Sequence, residues 1–385
     1  MKRITVVLDG VADRPNAKLD HKTPLEYANT PNLDSIASRS QLGCMLTIPE
    51  GLELGSAVAN MSLMGLDPRQ YRGRAAIEAA GCGVPTIMGN LYIRMNFVEF
   101  EGDSYLNSKI VSYSAHDIPT EQSQPLTDLL TRDLFRSPYR AHNVGTFRNI
   151  LEIEGGAGLF PLELAPAHDI IGQPISRFIK GEKEQPLYEL QARAYELLRG
   201  NGTHANGIWF WGDSVVPAFD KAESGRCTFG ETLILMGITA IAGIPNFTTD
   251  EAQPFEQFLL EKAHKAADAL NAEFDRVYIH IQATDDISHE RDPIGKARLV
   301  ADIDRVFFPA LFEAVKGDFV MGVASDHFTF SDTGGHGGEP VPYLIYDSRA
   351  MMSTPRRFTE ETCRQSGVLI DAPKFVQTLE SYKMA

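Results

Sequence analysis

ITVVLDG, residues 4 to 10, is the stretch on which the fold turns. An apolar run rich in β-branched residues that halts at Asp9-Gly10 reads as a buried parallel strand with its exit turn. Working outward, TPNLDSIASRS sets Leu33, Ile36 and Ala37 at helical spacing behind the breaker Pro31, so a helix is expected to begin near Asn32. Strand followed by helix opens an α/β domain.

Near the other end the pattern recurs twice. RVYIHIQAT, residues 276 to 284, alternates and ends at Asp285-Asp286, and DFVMGVAS, residues 318 to 325, ends at Asp326-His327. Between them DPIGKARLVADIDRVFFPALFEAVKG is one long helical pattern, expected to bend near Pro309. Strand, helix, strand in that order indicates a parallel crossover. VPYLIYDS then supplies a further strand and RFTEETCRQSG a short helix.

The middle differs in character. From about residue 88 to 225, short extended runs (LYIRMNFVEF, FRNILEIEGG, GIWFWGD) alternate with helical or loop segments such as QARAYELLRG. This predicts a smaller α+β domain, 88–225, inserted into an α/β core made of 1–87 and 226–385. CTFGETLILMGITAIAGI is expected to re-enter the core as a helix, and KAHKAADALNA to form an Ala-rich surface helix.

The composition, 43% hydrophobic over 385 residues, suffices for a sizeable core. Lys+Arg 36 against Asp+Glu 51 gives a net charge of -15, which repels a polyanionic duplex and argues against nucleic acid as a general partner. Cys44, Cys82, Cys227 and Cys363 lie far apart at no metal-ligand spacing, as expected of a reduced compartment. The longest apolar stretch, near residues 232 to 244, falls short of the roughly 20 residues a spanning helix needs. The opening residues suit a first strand better than a secretory signal, so the expected location is the cytoplasm, with no membrane partner.

Asp9, Asp285 and Asp326 each close a strand. The carboxyl ends of parallel strands share one side of a sheet, where ligands bind, so these three residues are expected to converge. His289 follows Asp285 by four positions, His327 adjoins Asp326, and His336 lies in the glycine-rich loop SDTGGHGGEPVP. Taken singly, each acid would serve as a turn or cap and each histidine as a surface or packing residue. Three of each together suit a metal centre, with carboxylate and imidazole favouring Mn²⁺ or Zn²⁺ over ions that prefer thiolates. Ser56 precedes the helical pattern VANMSLMG. It is either an ordinary cap contributing about 1 kcal/mol or a nucleophile favoured by the helix end and a nearby cation.

LDGVADRP, KTPLEYANTPNLD, LGSAVANMSLMGLDP, GRAAIEAAG, IRMNF, IQATDDISHERD, ASDH and HGGEPVP together resemble the cofactor-independent phosphoglycerate mutases of the archaeal type, within the alkaline phosphatase superfamily. The resemblance implies an alkaline phosphatase-like core with a mostly parallel sheet, and an inserted domain that closes over a small phosphorylated metabolite. It implies two divalent ions, Mn²⁺ or Zn²⁺ first and Mg²⁺ third. Asp285, His289 and His336 would hold one ion; Asp9, Asp326, His327 and Ser56 the other. Ser56 would accept the phosphoryl group of 3-phosphoglycerate and return it to the 2-hydroxyl. Arg94 and Arg148 would clamp the anion, with Arg74 and Asp13 as weaker matches.

Several positions depart from the family pattern. Ala57 stands where an acid follows the nucleophile, and Ala75-Ala76 where Gly-Pro is usual. Lys109 replaces an arginine, and Asp213-Ser214 occupy a segment in which a lysine is expected. These departures keep open a phosphatase or a homoserine kinase-like phosphotransferase acting on another small phosphoester. Oligomeric state is left undetermined.

Overall fold

The computed structural model describes residues 1–220, 222–351 and 353–382. By compactness the chain divides into two units, Met1–Tyr71 with Phe219–Ala385, and Arg72–Ala218. The inserted unit thus begins at Arg72, earlier than the sequence pattern indicates, because the helix Ala75–Gly81 packs on strands of that unit. Its Ala76 N–H also donates to Ser214 Oγ at 2.6 Å, within the same unit.

Among the described residues, fifteen strands follow in chain order. The first unit supplies β1 (Lys2–Leu8) and β2 (Ser40–Leu46). The inserted unit supplies β3 (Leu91–Glu101), β4 (Lys109–Ser112), β5 (Tyr139–Gly145), β6 (Arg148–Ile153) and β7 (Gly207–Val215). The first unit resumes with β8 (Arg226–Phe229), β9 (Asn246–Phe247), β10 (Arg276–Ile281), β11 (Phe319–Ser325), β12 (Phe328–Thr329), β13 (His336–Gly337), β14 (Val341–Asp347) and β15 (Leu369–Asp371).

In the first unit eight strands run in the order β15-β2-β14-β11-β1-β10-β8-β9. All neighbours are parallel except β14, which is antiparallel to both β11 and β2. The central strand β1 is flanked by β10 and β11, which accounts for its uninterrupted apolar run: Ile4, Val6, Val7 and Leu8 are each at most 1% exposed. Each such side chain stabilises the fold by roughly 1.5–3 kcal/mol relative to leaving it in water.

The long helical pattern after β10 resolves into Pro293–Asp302, a π-turn at Ile303–Phe307, and Phe308–Ala314. The irregularity therefore sits just ahead of Pro309, whose missing N–H cannot continue the ladder. The π-turn has a use. Its buried Asp304 carboxylate accepts from the N–H groups of Asn32 (3.1 Å) and Leu33 (2.6 Å), capping the helix Pro31–Ala37, whose own Thr30 makes no side-chain cap.

Two expectations are corrected here. RCTF is strand β8, and the re-entering helix is only Leu233–Ala242. KAHKAADALNA belongs to a longer helix, Phe255–Ala272, which buries Phe258, Leu259, Lys262, Ala263, Ala266, Ala267 and Leu270 along one face. Small alanines let this helix approach the sheet closely. Lys262 is fully buried there, donating to Glu231 Oε2 at 2.7 Å and to the His280 carbonyl at 2.8 Å. No helix among the described residues is long and apolar enough to cross a membrane.

The inserted unit is a five-stranded antiparallel sheet in which β3 pairs β4, β6 and β7, and β6 pairs β5. One face of β3, with Ile93, Met95 and Phe97, packs in a core with Leu126, Leu130, Leu190 and Leu198 from the helices Thr120–Asp133 and Gln185–Leu198. The opposite side, with Val98, Phe100 and Trp209, forms a second small core.

Candidate metal centre and nucleophile

Register fixes the first ligands. Leu8 lies opposite both Ser325 and Ile281, so the residues that follow β1, β10 and β11 emerge together. Asp9 turns out on Gly10, which has φ +57°. A Cβ on Gly10 would sit 2.6 Å from Asp285 Oδ1 and overlap the Thr329 side chain, so only glycine fits between the ligands. Asp285 and His289 are carried by the helix Ala283–His289, not by a strand-exit turn, and the spacing of four aligns them on one face.

The donor atoms converge in two overlapping groups, Asp9 with Asp326 and His327, and Asp285 with His327 and His336; within each, all lie inside 4.8 Å. His327 Nε2 stands at the junction, 3.4 Å from Asp9 Oδ1 and 3.4 Å from Asp326 Oδ2. His289 Nε2 lies 3.2 Å from Asp285 Oδ2 and 3.2 Å from His336 Nε2. Ser56 opens the helix Ser56–Leu63, and its Oγ is 3.0 Å from His327 Nε2. All seven residues expected at the centre, Asp9, Ser56, Asp285, His289, Asp326, His327 and His336, are thus brought together.

The environment is short of positive charge. Asp9, Asp326 and His327 are at most 1% exposed. Burial, reinforced by Asp326 and Asp285, drives the Asp9 carboxyl well above its ordinary range. Burial also pushes Asp285 up, but the hydrogen bond to His336, the nearby His327 and Thr329 outweigh it and hold the carboxyl far below the usual value. His280 Nε2 lies 3.1 Å from Asp9 Oδ2, yet burial lowers that imidazole to about 4, leaving it neutral near pH 7.

Asp9 Oδ1 and both ring nitrogens of His280 make no hydrogen bond, so the short His280–Asp9 approach is not an aligned one. A buried acid cluster with an orphaned oxygen, and two imidazole nitrogens facing each other at 3.2 Å, make a donor set that fits two divalent cations.

A supporting layer, not anticipated from sequence, holds the ligands. Thr329 Oγ1 donates to Asp285 Oδ1 at 2.6 Å and lies 3.0 Å from His327 Nδ1. His289 Nδ1 donates to the Gly334 carbonyl at 2.8 Å, which leaves the Nε2 lone pair for a metal. Asn60 Nδ2 donates to the Ser56 carbonyl and to Asp326 Oδ2, and Asn60 Oδ1 accepts from Tyr278. Asn60 could have been found from its place four residues after Ser56 on one helix face. His280 could have been found as a polar interruption of an apolar strand.

Beyond the centre, Asp13 is buried in an ion pair with Lys296 at 3.1 Å. In the inserted unit, Arg94 forks onto Glu78 and lies over the Trp211 ring at 4.5 Å. Arg148 is exposed at the start of β6, its guanidinium 4.7 Å from the Phe147 ring centre. Lys109 pairs with Glu101, Asp213 accepts from Leu162 N–H, and Ser214 accepts from Ala76 N–H.

A family model described as the metalloenzyme superfamily matches residues 1–379. The 2,3-bisphosphoglycerate-independent phosphoglycerate mutase 2 of Methanothermobacter thermautotrophicus is 30% identical, over 96% of this chain and 94% of that protein. The 2,3-bisphosphoglycerate-independent phosphoglycerate mutase of Methanosarcina acetivorans is 32% identical over 91% of each. Among solved structures, a protein from Pyrococcus horikoshii superposes with a TM-score of 0.79 at 24% identity, covering 100% of this chain and 99% of that one. The cofactor-independent phosphoglycerate mutase from Thermoplasma acidophilum gives 0.69 at 23% identity, covering 99% of both chains. The two structures share the fold.

Proposed function

We propose that this chain, which belongs to the cofactor-independent phosphoglycerate mutase family of the metalloenzyme superfamily, interconverts 3-phosphoglycerate and 2-phosphoglycerate through a phosphorylated Ser56. The observation that carries the proposal is the Ser56 hydroxyl set 3.0 Å from His327 Nε2, at the edge of a carboxylate and imidazole cluster in which a buried Asp9 oxygen bonds nothing.

Ser56 Oγ attacks phosphorus and the bond from phosphorus to the 3-oxygen of the substrate breaks in line, the serine proton ending on that 3-oxygen. The glycerate, retained and turned, then offers its 2-hydroxyl to phosphoserine, the bond to Ser56 Oγ breaks, and the serine is restored. Bound at Asp9, Asp326 and His327 and at Asp285, His289 and His336, two divalent ions would lower the serine pKa and neutralise the phosphoryl oxygens. The protein's own part is positional. Asn60 ties the Ser56 carbonyl to Asp326, so the nucleophile and a ligand move as one body. The first-turn N–H groups of the Ser56–Leu63 helix have no partner within the helix and favour an anion at its end.

The donor set supports Mn²⁺ or Zn²⁺, with Mg²⁺ as a third candidate. Arg148, exposed, is the stronger candidate for gripping the substrate anion; Arg94 would do so together with its Glu78 partner. The four free cysteines support a cytoplasmic location.

A second reading is favoured by one set of observations. Ala57 is buried, and Asp213 and Ser214 are committed to backbone N–H groups, so positions expected to meet phosphoglycerate serve the fold instead. That supports another small phosphoester, handled by a phosphatase or a kinase-like phosphotransferase. Incubation with 3-phosphoglycerate and Mn²⁺ separates the two: the mutase yields 2-phosphoglycerate. Release of inorganic phosphate without it rejects the mutase.

A further inference from the structure

The inserted unit carries a cluster of ligating side chains that the phosphoryl transfer does not use. Glu99 Oε2 lies 2.7 Å from His116 Nε2, and Glu99 Oε1 lies 2.9 Å from His204 Nδ1. The two rings are 4.6 Å apart between centroids, tilted by 57°, and the three donor atoms lie within 4.8 Å of one another.

Although both imidazoles are more than half exposed, the backbone that presents each ligand is fixed. Glu99 sits at a register shift of the β3–β4 ladder, between Glu99 and Phe100, a bulge that re-aims its side chain. His116 lies in the middle of three consecutive left-handed residues, Ala115, His116 and Asp117, with φ of 47°, 56° and 55°. Such a run costs free energy at residues that are not glycine, and it persists because its surroundings over-determine it. Here the His116 N–H donates to Ser112 Oγ, and Ser112 is the cross-strand partner of Glu99. His204 follows a loop organised by Asn201, whose side chain bonds Leu198, Thr203 and Ala205. It precedes Asn206, which brackets both backbone groups of Phe100.

We propose that Glu99, His116 and His204 form a separate binding site for one divalent cation of the zinc class, which clips the 112–117 turn and the 201–206 loop to the end of β3. Two imidazoles and one carboxylate with no thiolate select a borderline ion such as Zn²⁺ over Ca²⁺ or Mg²⁺. Tetrahedral zinc holds its ligand atoms about 3.3 Å apart, so the carboxylate has to recede only by about half an ångström from each ring. Binding moves each ring proton to the opposite imidazole nitrogen, so that His116 Nε2 and His204 Nδ1 present lone pairs, and water completes the coordination. Glu99 is prepared for this. Burial raises its carboxyl, but hydrogen bonds from His204 and His116 outweigh that and keep it below the ordinary range.

The test is tight zinc stoichiometry on the full-length chain, by competition with a chromophoric chelator. The His116→Ala, His204→Ala double variant is expected to bind one equivalent fewer than the wild type, whatever the catalytic cluster holds, with phosphoryl transfer unchanged. Glu99→Gln, which keeps hydrogen-bonding capacity to both rings and so preserves the local fold, is expected to weaken that equivalent at least tenfold. Zinc is expected to raise the melting temperature of the wild type, and Glu99→Gln is expected to lessen that rise. Equal zinc counts in wild type and both variants would overturn the proposal and leave the two histidines as hydrogen-bond donors to Glu99.

Discussion

Glu99 in the inserted unit satisfies both of its oxygens with histidines that stand 58% and 64% open to solvent. Asp9 in the sheet unit is 1% exposed, and one of its oxygens bonds nothing. Both places gather carboxylates and imidazoles. The exposed cluster pairs its own donors and acceptors, and would take the proposed cation by shifting its ring protons. The buried cluster leaves Asp9 Oδ1 without a hydrogen bond, and neutral His280 cannot offset the neighbouring carboxylates. A ligand set is therefore identified less by residue types than by what its polar atoms lack.

Four experiments would break or sharpen that contrast. The largest effect is expected at the nucleophile of the buried site. Ser56→Ala should lower the transfer rate by at least about 10³-fold with metal content and melting curve nearly unchanged; an undiminished rate would remove Ser56 from the mechanism.

Lys296 comes next. Its Nζ, fully buried, donates to Asp13 Oδ2 and to the Thr329 carbonyl, and Thr329 in turn holds Asp285 and His327. Lys296→Met strands a buried carboxylate and should cost about 3–5 kcal/mol in urea unfolding; a loss below about 1 kcal/mol would show that Asp13 tolerates burial alone.

The third concerns pH. Glu360 is buried beside that pair, accepting from Thr23 Oγ1 and Asp13 N–H, and burial first of all pushes its carboxyl up from 4.5 to about 7, against those hydrogen bonds and Lys296. Between these two values the folded state holds more protons than the unfolded chain. Its contribution to stability is therefore present at the acid end and is lost as pH rises from about 5 to 7. Stability should fall by about 2–3 kcal/mol across that window, and Glu360→Gln should flatten the slope. A wild-type profile already flat there would contradict the burial argument.

The smallest effect is expected in the exposed setting of the inserted unit. Arg148→Ala should raise KM for 3-phosphoglycerate about tenfold, the size of one charge-assisted hydrogen bond, leaving the zinc count untouched. A fall in kcat with KM constant would place Arg148 at the reacting phosphoryl group instead.

Much of the sheet unit was legible because its strands end in chemistry. β1, β10 and β11 are short apolar runs halted by Asp9, the Asp285 segment and Asp326, and parallel geometry places such ends together. The Ser56 helix and the one that follows Pro31 were legible from their breakers and spacing. Tertiary choices were not. Nothing local marks Lys262 as a core residue, since lysine at an alanine-rich helix face normally reaches water. Its partner Glu231 is brought to it only by the packing of β8 beside β10. Nor does the sequence show that Thr329 would hold two ligands at once, because threonine after an aromatic reads as ordinary strand. The Glu99 cluster joins positions far apart in a chain segment with no repeated motif, and only the register of β3 with β4 and the Asn206 brace bring it together.

The place of β1 in the sheet carries a last consequence, for synthesis. Residues 2–8 leave the ribosome well before both of their hydrogen-bonding partners, β10 and β11, which begin at Arg276 and Phe319. At roughly 5–20 residues per second, this strand, with Ile4, Val6, Val7 and Leu8 to bury, waits on the order of 15–50 s before either neighbour exists. The inserted unit, complete by Ala218, has all of its strands in hand long before then. Translation thus leaves β1 in need of shielding, and the centre built on Asp9 assembles only once His336 has emerged.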